Sequence, residues 1–293
     1  MHMRIFITGA TGAIGKTIVR ALAKHHEMVA LAYRKELSSQ VNIKWVHGDL
    51  LRPETYLSHL HGCDALIHLA AETSNASMQL HAINVDATQR LLLAAEQCNV
   101  PKKIIFSSAA VTQKILTPYA ESKKQMEKMI YVLGIPCTVL RPTIVYGPNS
   151  PYVRGMARYL ELRLPFVPLS NDGKADLRPV HVDDLVLLLE KIISFPPSEK
   201  IEQFDVASAQ SFTFRDALTA IARKRGISKP FIGFPHAWMA MVFKSLGGIG
   251  ISAPLRLIQT AAQGESYHVH PTKVMQKYGV SIRNPVTEFE RCI

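Results

Sequence analysis

Tyr119 and Lys123 stand four residues apart in Pro118-Tyr-Ala-Glu-Ser-Lys-Lys124. That spacing puts both side chains on one face of a helix, a turn apart. An ammonium beside a phenol favours the phenolate, which predicts that the Tyr119 pKa falls from about 10 towards the working range. Each unit of such a shift corresponds to about 1.4 kcal/mol of differential interaction. A tyrosine tuned in this way exchanges a proton with a carbonyl or alcohol oxygen near neutral pH. The pair alone is common on solvated helices, so its weight comes from where it falls relative to a nucleotide site.

The N-terminus carries the signs of such a site. Arg4-Ile-Phe-Ile-Thr8 is a short apolar run suited to a buried parallel strand. Gly9-Ala-Thr-Gly12-Ala-Ile-Gly15 follows at once, and Ile14, Ile18, Val19, Leu22 and Ala23 then recur at helical core spacing. Strand, glycine turn and helix form the context in which a pyrophosphate sits on free N–H groups at a helix N-terminus. A second strand, Met28–Tyr33, runs into Arg34 and Lys35, where an acidic residue would hold a ribose 2′-hydroxyl. A guanidinium suits a 2′-phosphate instead, so Arg34 favours NADPH over NAD, and Thr11 offers a hydroxyl to the same phosphate.

Taken together, these segments resemble the extended short-chain dehydrogenase/reductases of the NAD-dependent epimerase/dehydratase group. The likeness runs through Gly9, Gly12 and Gly15, Gly48-Asp49-Leu50, His68-Leu-Ala-Ala71 and Asn84 in Ile83-Asn-Val-Asp-Ala-Thr88. It continues through Phe106-Ser-Ser-Ala-Ala-Val111, Tyr119 with Lys123, Arg141-Pro-Thr-Ile-Val-Tyr-Gly-Pro148 and Pro179-Val-His-Val-Asp-Asp184. The resemblance implies a Rossmann-type doubly wound α/β sheet with a smaller substrate lobe. It implies cofactor contacts from Gly9, Thr11, Gly12, Ala13, Ile14, Arg34, Asp49, Leu50, Leu69, Ala70, Ala71, Tyr119, Lys123 and Pro142. Catalysis falls to Ser108, Tyr119 and Lys123: Tyr119 as general acid/base, Lys123 holding the nicotinamide-side ribose, and Ser108 orienting the substrate oxygen.

The implied reaction is hydride transfer at a secondary alcohol or ketone, most naturally of a nucleotide-linked sugar. A ketone reductase of the dihydroflavonol or hydroxysteroid type is the alternative, and Arg34 leans towards it. A 4,6-dehydratase is disfavoured, because relatives of that kind carry Asp-Glu where Ala109 and Ala110 stand here. Ser108 precedes Tyr119 by only eleven residues, a shorter interval than in many sugar-nucleotide epimerases. A non-catalytic nucleotide-binding regulator or accessory subunit belongs to a different class, and such relatives generally lack Tyr or Lys. Arg178, His181 and Arg256 are further candidates for substrate phosphates, Arg178 foremost.

The positioning elements follow from periodicity. Strands are expected at Arg4–Thr8, Met28–Tyr33, Lys44–Val46, Ala65–Leu69, Lys103–Ser107, Cys137–Arg141 and Gln203–Ala207. Helices are expected at Gly12–Lys24, Pro53–Leu60, His81–Cys98, Pro118–Leu133, Met156–Leu164, Asp183–Phe195 and Thr213–Arg225, with Thr213 as N-cap and Gly226 as stop. The nucleotide domain is expected to take residues 1–145 plus about 180–207, and the substrate lobe about 146–179 plus 208–293. Phe231 to Ile251, around Trp238, Met239, Met241, Val242 and Phe243, reads as an amphipathic lid or contact helix. Its proline, lysine and glycines disfavour a spanning segment.

With 293 residues and 47% hydrophobic side chains, the chain has ample core for one large α/β unit. Its four cysteines are scattered and read as reduced, hence cytoplasmic, and no metal-ligand spacing is present. His25-His26 reads as a surface turn. A formal charge of +11 draws phosphate-bearing small molecules, while no motif supports nucleic acid as a partner. Related enzymes commonly dimerise, so a homodimer is possible.

Overall fold

The computed structural model describes residues 2–33, 41–114, 116–148, 150–235 and 266–292. Seven strands form one wholly parallel sheet: β1 (Arg4–Thr8), β2 (Glu27–Ala32), β3 (Ile43–His47), β4 (Ala65–His68), β5 (Lys102–Phe106), β6 (Cys137–Pro142) and β10 (Ile201–Val206). Their order is β10-β6-β5-β4-β1-β2-β3. The winding reverses between β1 and β4, and a ligand crevice opens there at the carboxyl ends of the strands. This is a Rossmann-type α/β fold.

Alternation along each strand feeds two apolar layers. Ile5 and Ile7 face α1 (Ala13–Leu22) and α6 (Val182–Ser194) on one side, whereas Phe6 faces Tyr56, Leu60 and Leu91 on the other. Further along that second face, Ile105 and Val139 pack against Leu92 of α3 (Ala87–Gln97) and Met126 and Ile130 of α4 (Pro118–Leu133). Between Leu60 of α2 (Leu57–Leu60) and α3, the helix expected over residues 81–98 opens with a π-helical turn, Ala82–Asp86. A separate apolar cluster joins α5 (Pro151–Leu160), α7 (Phe214–Arg225) and Phe289 of α9 (Pro285–Cys292). Val274 and Tyr278 of α8 (Thr272–Tyr278) pack instead on the large sheet.

Three expectations need correction. The helix expected at Met156–Leu164 is α5, which begins earlier because Ser150 caps it and Pro151 occupies its first position. His26 is buried rather than on a surface turn: its Nδ1 accepts from the Met3 N–H and its Nε2 meets Glu190 at 2.9 Å. Phe231–Phe234 forms strand β11, paired in parallel with β8 (Val167–Ser170), because pairing satisfies its backbone where a lone apolar run would not. The rest of the anticipated lid, including Trp238, lies outside the described residues, as do Arg34 and Arg256. A short pair, β7 (Val145–Tyr146) with β9 (Val180–His181), was too brief to show periodicity. Among the described residues no helix is long and apolar enough to cross a membrane.

Candidate active site

The glycine turn is built by close approach. Gly9 has φ +73°, and a Cβ there would lie 2.6 Å from the Ala70 nitrogen in the loop after β4. A Cβ on Gly15 would lie 2.1 Å from the Gly9 carbonyl oxygen, so only hydrogen fits where α1 meets the turn. Gly12 is the N-cap of α1 and brings no side-chain acceptor, and the first turn holds no acidic residue. The N-terminal N–H groups and the positive end of the helix dipole are therefore well suited to an anion. This cradle fits a dinucleotide pyrophosphate. Thr11, Ala13 and Ile14 belong to it; Leu69, Ala70 and Ala71 form the loop against it, and Asp49 and Leu50 follow β3. Asp49 Oδ1 accepts from the Leu51 N–H at 2.9 Å, which sets that turn. Pro142 ends β6, and Ser107, at the end of β5, has a buried hydroxyl without a partner, a further polar atom open to a ligand.

Ser108 follows β5 and Tyr119 lies in the first turn of α4. The helix start is held by Thr117, whose hydroxyl accepts from the Ala120 N–H, and by Asn75 Oδ1, which accepts from the Tyr119 N–H at 2.9 Å. The Ser108 hydroxyl, which accepts from the Ala110 N–H at 3.2 Å, lies close enough to the Tyr119 phenol to lower its pKa. The structure thus brings together the serine and tyrosine expected to act on one oxygen.

The expected drop in the Tyr119 pKa is not what the structure gives. Burial pushes the phenol up to about 12, against the lowering effect of Ser108. The physical reason is the direction of Lys123, whose Nζ donates to the Phe106 carbonyl at 3.0 Å and approaches Met126 Sδ at 3.7 Å rather than the phenol. Lys123 is itself fully enclosed; burial lowers its pKa to about 8, opposed by the Glu127 carboxylate. Tyr119 is therefore a neutral phenol near neutral pH, in the state required to donate a proton.

Behind the pair runs a buried polar chain only partly visible in the sequence. Thr88 donates to the Asn84 carbonyl at 2.8 Å, so its oxygen receives the His68 Nε2–H at 2.9 Å. His68 Nδ1 then accepts from Thr8 at 2.6 Å, and Thr8 in turn accepts from the Ala70 N–H at 3.3 Å. Burial, with Lys123 nearby, lowers the His68 pKa to about 3 and keeps the ring neutral. From the π-turn, the Asn84 amide donates to Ser122 Oγ at 2.8 Å, and Ser122 donates to the Tyr119 carbonyl at 2.8 Å. The loop after β4 and the helix α4 are thereby joined through buried polar groups. Thr8 and Thr88 carry no motif signal beyond their place at a strand end and one turn after Asn84.

The tail supplies the residues sequence reasoning missed most completely. Ser266–His270 crosses the mouth of the site: Ser266 Oγ accepts from the Asp176 N–H at 3.0 Å, the Tyr267 N–H donates to the Asp176 carbonyl at 3.3 Å, and the His268 N–H donates to Thr112 Oγ1 at 3.2 Å. Val269 packs on Ala109 and Ala207, with Tyr267 against the same cluster. No spacing rule links position 267 to position 109. Ala109 is thus a floor for the tail, in a place where a carboxylate would be desolvated. Arg178, with φ +40°, is tied by Nε to Asp176 at 2.8 Å and by Nη1 to the Ala209 carbonyl at 3.3 Å. His181 is committed as the N-cap of α6, its Nδ1 accepting from the Asp183 N–H and meeting Arg283 at 3.0 Å. Among the described residues no group of three His, Cys, Asp or Glu side chains could hold a metal ion.

Comparison with known proteins agrees with this geometry. The chain is 26% identical over 237 residues to a ceramide reductase of Caulobacter vibrioides, covering 79% of this chain and 73% of that one. It is 28% identical over 228 residues to subunit 9 of the NADH dehydrogenase 1 alpha subcomplex of Dictyostelium discoideum, covering 73% of this chain and 62% of that subunit. Its fold matches UDP-glucuronic acid 4-epimerase from Bacillus cereus, in complex with UDP-glucuronic acid and NAD, with a TM-score of 0.78 at 18% identity over 99% of this chain and 97% of that one. Residues 5–207 match the NAD dependent epimerase/dehydratase family. Matched over most of its length and carrying that family's glycine turn and tyrosine–lysine helix, the chain belongs to the NAD dependent epimerase/dehydratase family.

Proposed function

We propose that this protein is an NADPH-dependent ketone reductase in which Ser108, Tyr119 and Lys123 form the catalytic group. The observation that carries this reading is the juxtaposition of Ser108, at the carboxyl end of β5, with a neutral, half-buried Tyr119. When bound, the nicotinamide supplies the hydride. The Tyr119 phenol donates its proton to the ketone oxygen, and Ser108 holds that oxygen by a second hydrogen bond. The Lys123 ammonium, fixed on the Phe106 carbonyl one helical turn along α4, adds a buried positive charge on the same helix face without contacting the phenol. Thr11 and the first-turn amides of α1 hold the pyrophosphate, and Arg34 is assigned to the 2′-phosphate.

Two further observations support a ketone without a diphosphate. Arg178, the foremost phosphate candidate, is already paired with Asp176, which leaves it no net positive charge for an anionic substrate. Ala109 and Val269 make the floor beside Ser108 apolar. The similarity to a ceramide reductase points the same way. An oxidoreductase or epimerase acting on a nucleotide-linked sugar is the second reading, favoured by the net charge of +11. An accessory, non-catalytic role fits poorly with an intact Ser108, Tyr119 and Lys123.

The test is NADPH and NADH oxidation with a panel of acyclic ketones, alongside inversion of UDP-sugars followed by NMR. The expected result is NADPH consumption with a ketone, reduced about 10²- to 10⁴-fold in Tyr119→Phe with unchanged NADPH affinity. Inversion of a UDP-sugar without net cofactor consumption would establish the second reading instead. Cofactor binding with no turnover of any substrate would favour the accessory role.

A further inference from the structure

Two further tyrosines, Tyr267 and Tyr152, pack next to the Ser108–Tyr119 region, and only Tyr119 has a role in the reaction so far. Tyr267 is carried on the Ser266–His270 segment, which is pinned at three places: to Asp176 through Ser266 and the Tyr267 backbone, to Thr112 through His268, and to Asp205 through the His270 N–H at 2.9 Å. Its ring bridges two apolar clusters, one containing Ala109 next to Ser108 and the other packed against Tyr152 of α5. The Tyr119 phenol adds to the cost of ionising Tyr267, and Tyr267 in turn adds to that of Tyr152, both effects secondary to burial. The Tyr152 hydroxyl is buried without a hydrogen-bond partner. An unpaired buried hydroxyl is costly, so such a group packed beside Tyr267 calls for a ligand atom.

We propose that Tyr267 and Tyr152 are substrate-positioning residues that donate hydrogen bonds to a second, uncharged oxygen of the substrate, close to the reacting ketone. This rests on the reductase reading and narrows it: the substrate is a ketone bearing a neighbouring carbonyl or hydroxyl oxygen, as in a 3-oxoacyl compound. The character of the donors sets the class. Burial holds both phenols well above their ordinary pKa, so they are neutral donors at any working pH. Neutral donors match a carbonyl or hydroxyl oxygen, whereas a carboxylate or phosphate calls for a cation. The guanidinium of Arg178 is held by Asp176, the residue that also pins the strap at Ser266.

The experiment compares ethyl 3-oxohexanoate with 3-octanone as substrates for the wild type, Tyr267→Phe and Tyr152→Phe, with melting temperature measured in parallel. Both substitutions keep the ring and its packing. For the oxoester, each variant should raise KM about tenfold, the effect of one lost hydrogen bond, with a smaller change in kcat. For 3-octanone, both constants should stay at wild-type values. Tyr152→Phe should hold or raise the melting temperature, because it removes an unpaired buried hydroxyl. That combination of firmer fold and weaker substrate binding is one a merely structural tyrosine would not give. Equal losses on both ketones, or no loss on the oxoester, overturns the positioning role while leaving the reductase intact. A wild type that reduces neither ketone overturns the reductase reading and this inference with it.

Discussion

At the scale of single residues, the chemistry turns on which way Lys123 points. An ammonium aimed at the phenol would make Tyr119 acidic. Aimed at the Phe106 carbonyl, it leaves burial to dominate and the phenol protonated. In the proposed reduction, Lys123 must keep its charge to offset, across one helical turn, the tyrosinate formed on proton transfer. With its pKa lowered to about 8, Lys123 loses that proton as pH rises through about 8. We expect kcat/KM for ketone reduction to be level below pH 8 and to fall through one protonation above it, read from a pH–rate profile. Lys123→Met should be slower throughout and should lack that limb. The tyrosine–lysine pair was legible from a four-residue spacing. The direction of its electrostatics was not, since backbone carbonyl positions set it.

At the scale of elements, the site is held by contacts that tolerate little change. Gly15 sits where a methyl group would lie 2.1 Å from the Gly9 oxygen. Gly15→Ala should push α1 off the glycine turn and weaken NADPH binding at least tenfold, measured by fluorescence titration. The catalytic helix is fixed further along by Glu127, which takes Arg141 in a bidentate pair at 2.9 and 2.5 Å. Arg141 also faces Asp205 at 3.8 Å, and Asp205 anchors the tail strap through His270. Glu127→Gln leaves a largely enclosed guanidinium without its main partner, and should cost about 3 kcal/mol in urea unfolding. It should also lower the Lys123 pKa further, since Glu127 is the charge that holds it up. All seven sheet strands and the helices at α1, α4, α6 and α7 could be read from periodicity and caps. The π-turn carrying Asn84 and the short strands could not, because one irregular turn or two paired residues leave no period.

At the scale of the whole molecule, a neutral His68 ties β1, β4, α3 and the catalytic helix into one buried polar chain. Its pKa of about 3 in the fold lies below the ordinary 6.5, so the unfolded chain binds a proton that the folded one refuses. Stability should therefore fall as pH drops from about 6.5 towards 3, and hold above that window. The measurement is urea unfolding at a series of pH values. His68→Gln should start less stable at pH 8 yet show a shallower acid decline.

By itself, the sequence determined the doubly wound sheet and the glycine turn, and it supplied Ser108, Tyr119 and Lys123 as the proposed catalytic set. Each of these is written in local spacing: a strand period, three glycines, a helical four. Only the tertiary structure decided what faces that set. Tyr267 lies 148 residues beyond Tyr119 and Val269 lies 160 beyond Ala109 in the chain. They meet because Asp176, Thr112 and Asp205 pin the tail across the cleft. Local propensity reaches over a few residues, whereas a substrate pocket is closed by burial and hydrogen bonds between segments that no pattern in the chain connects.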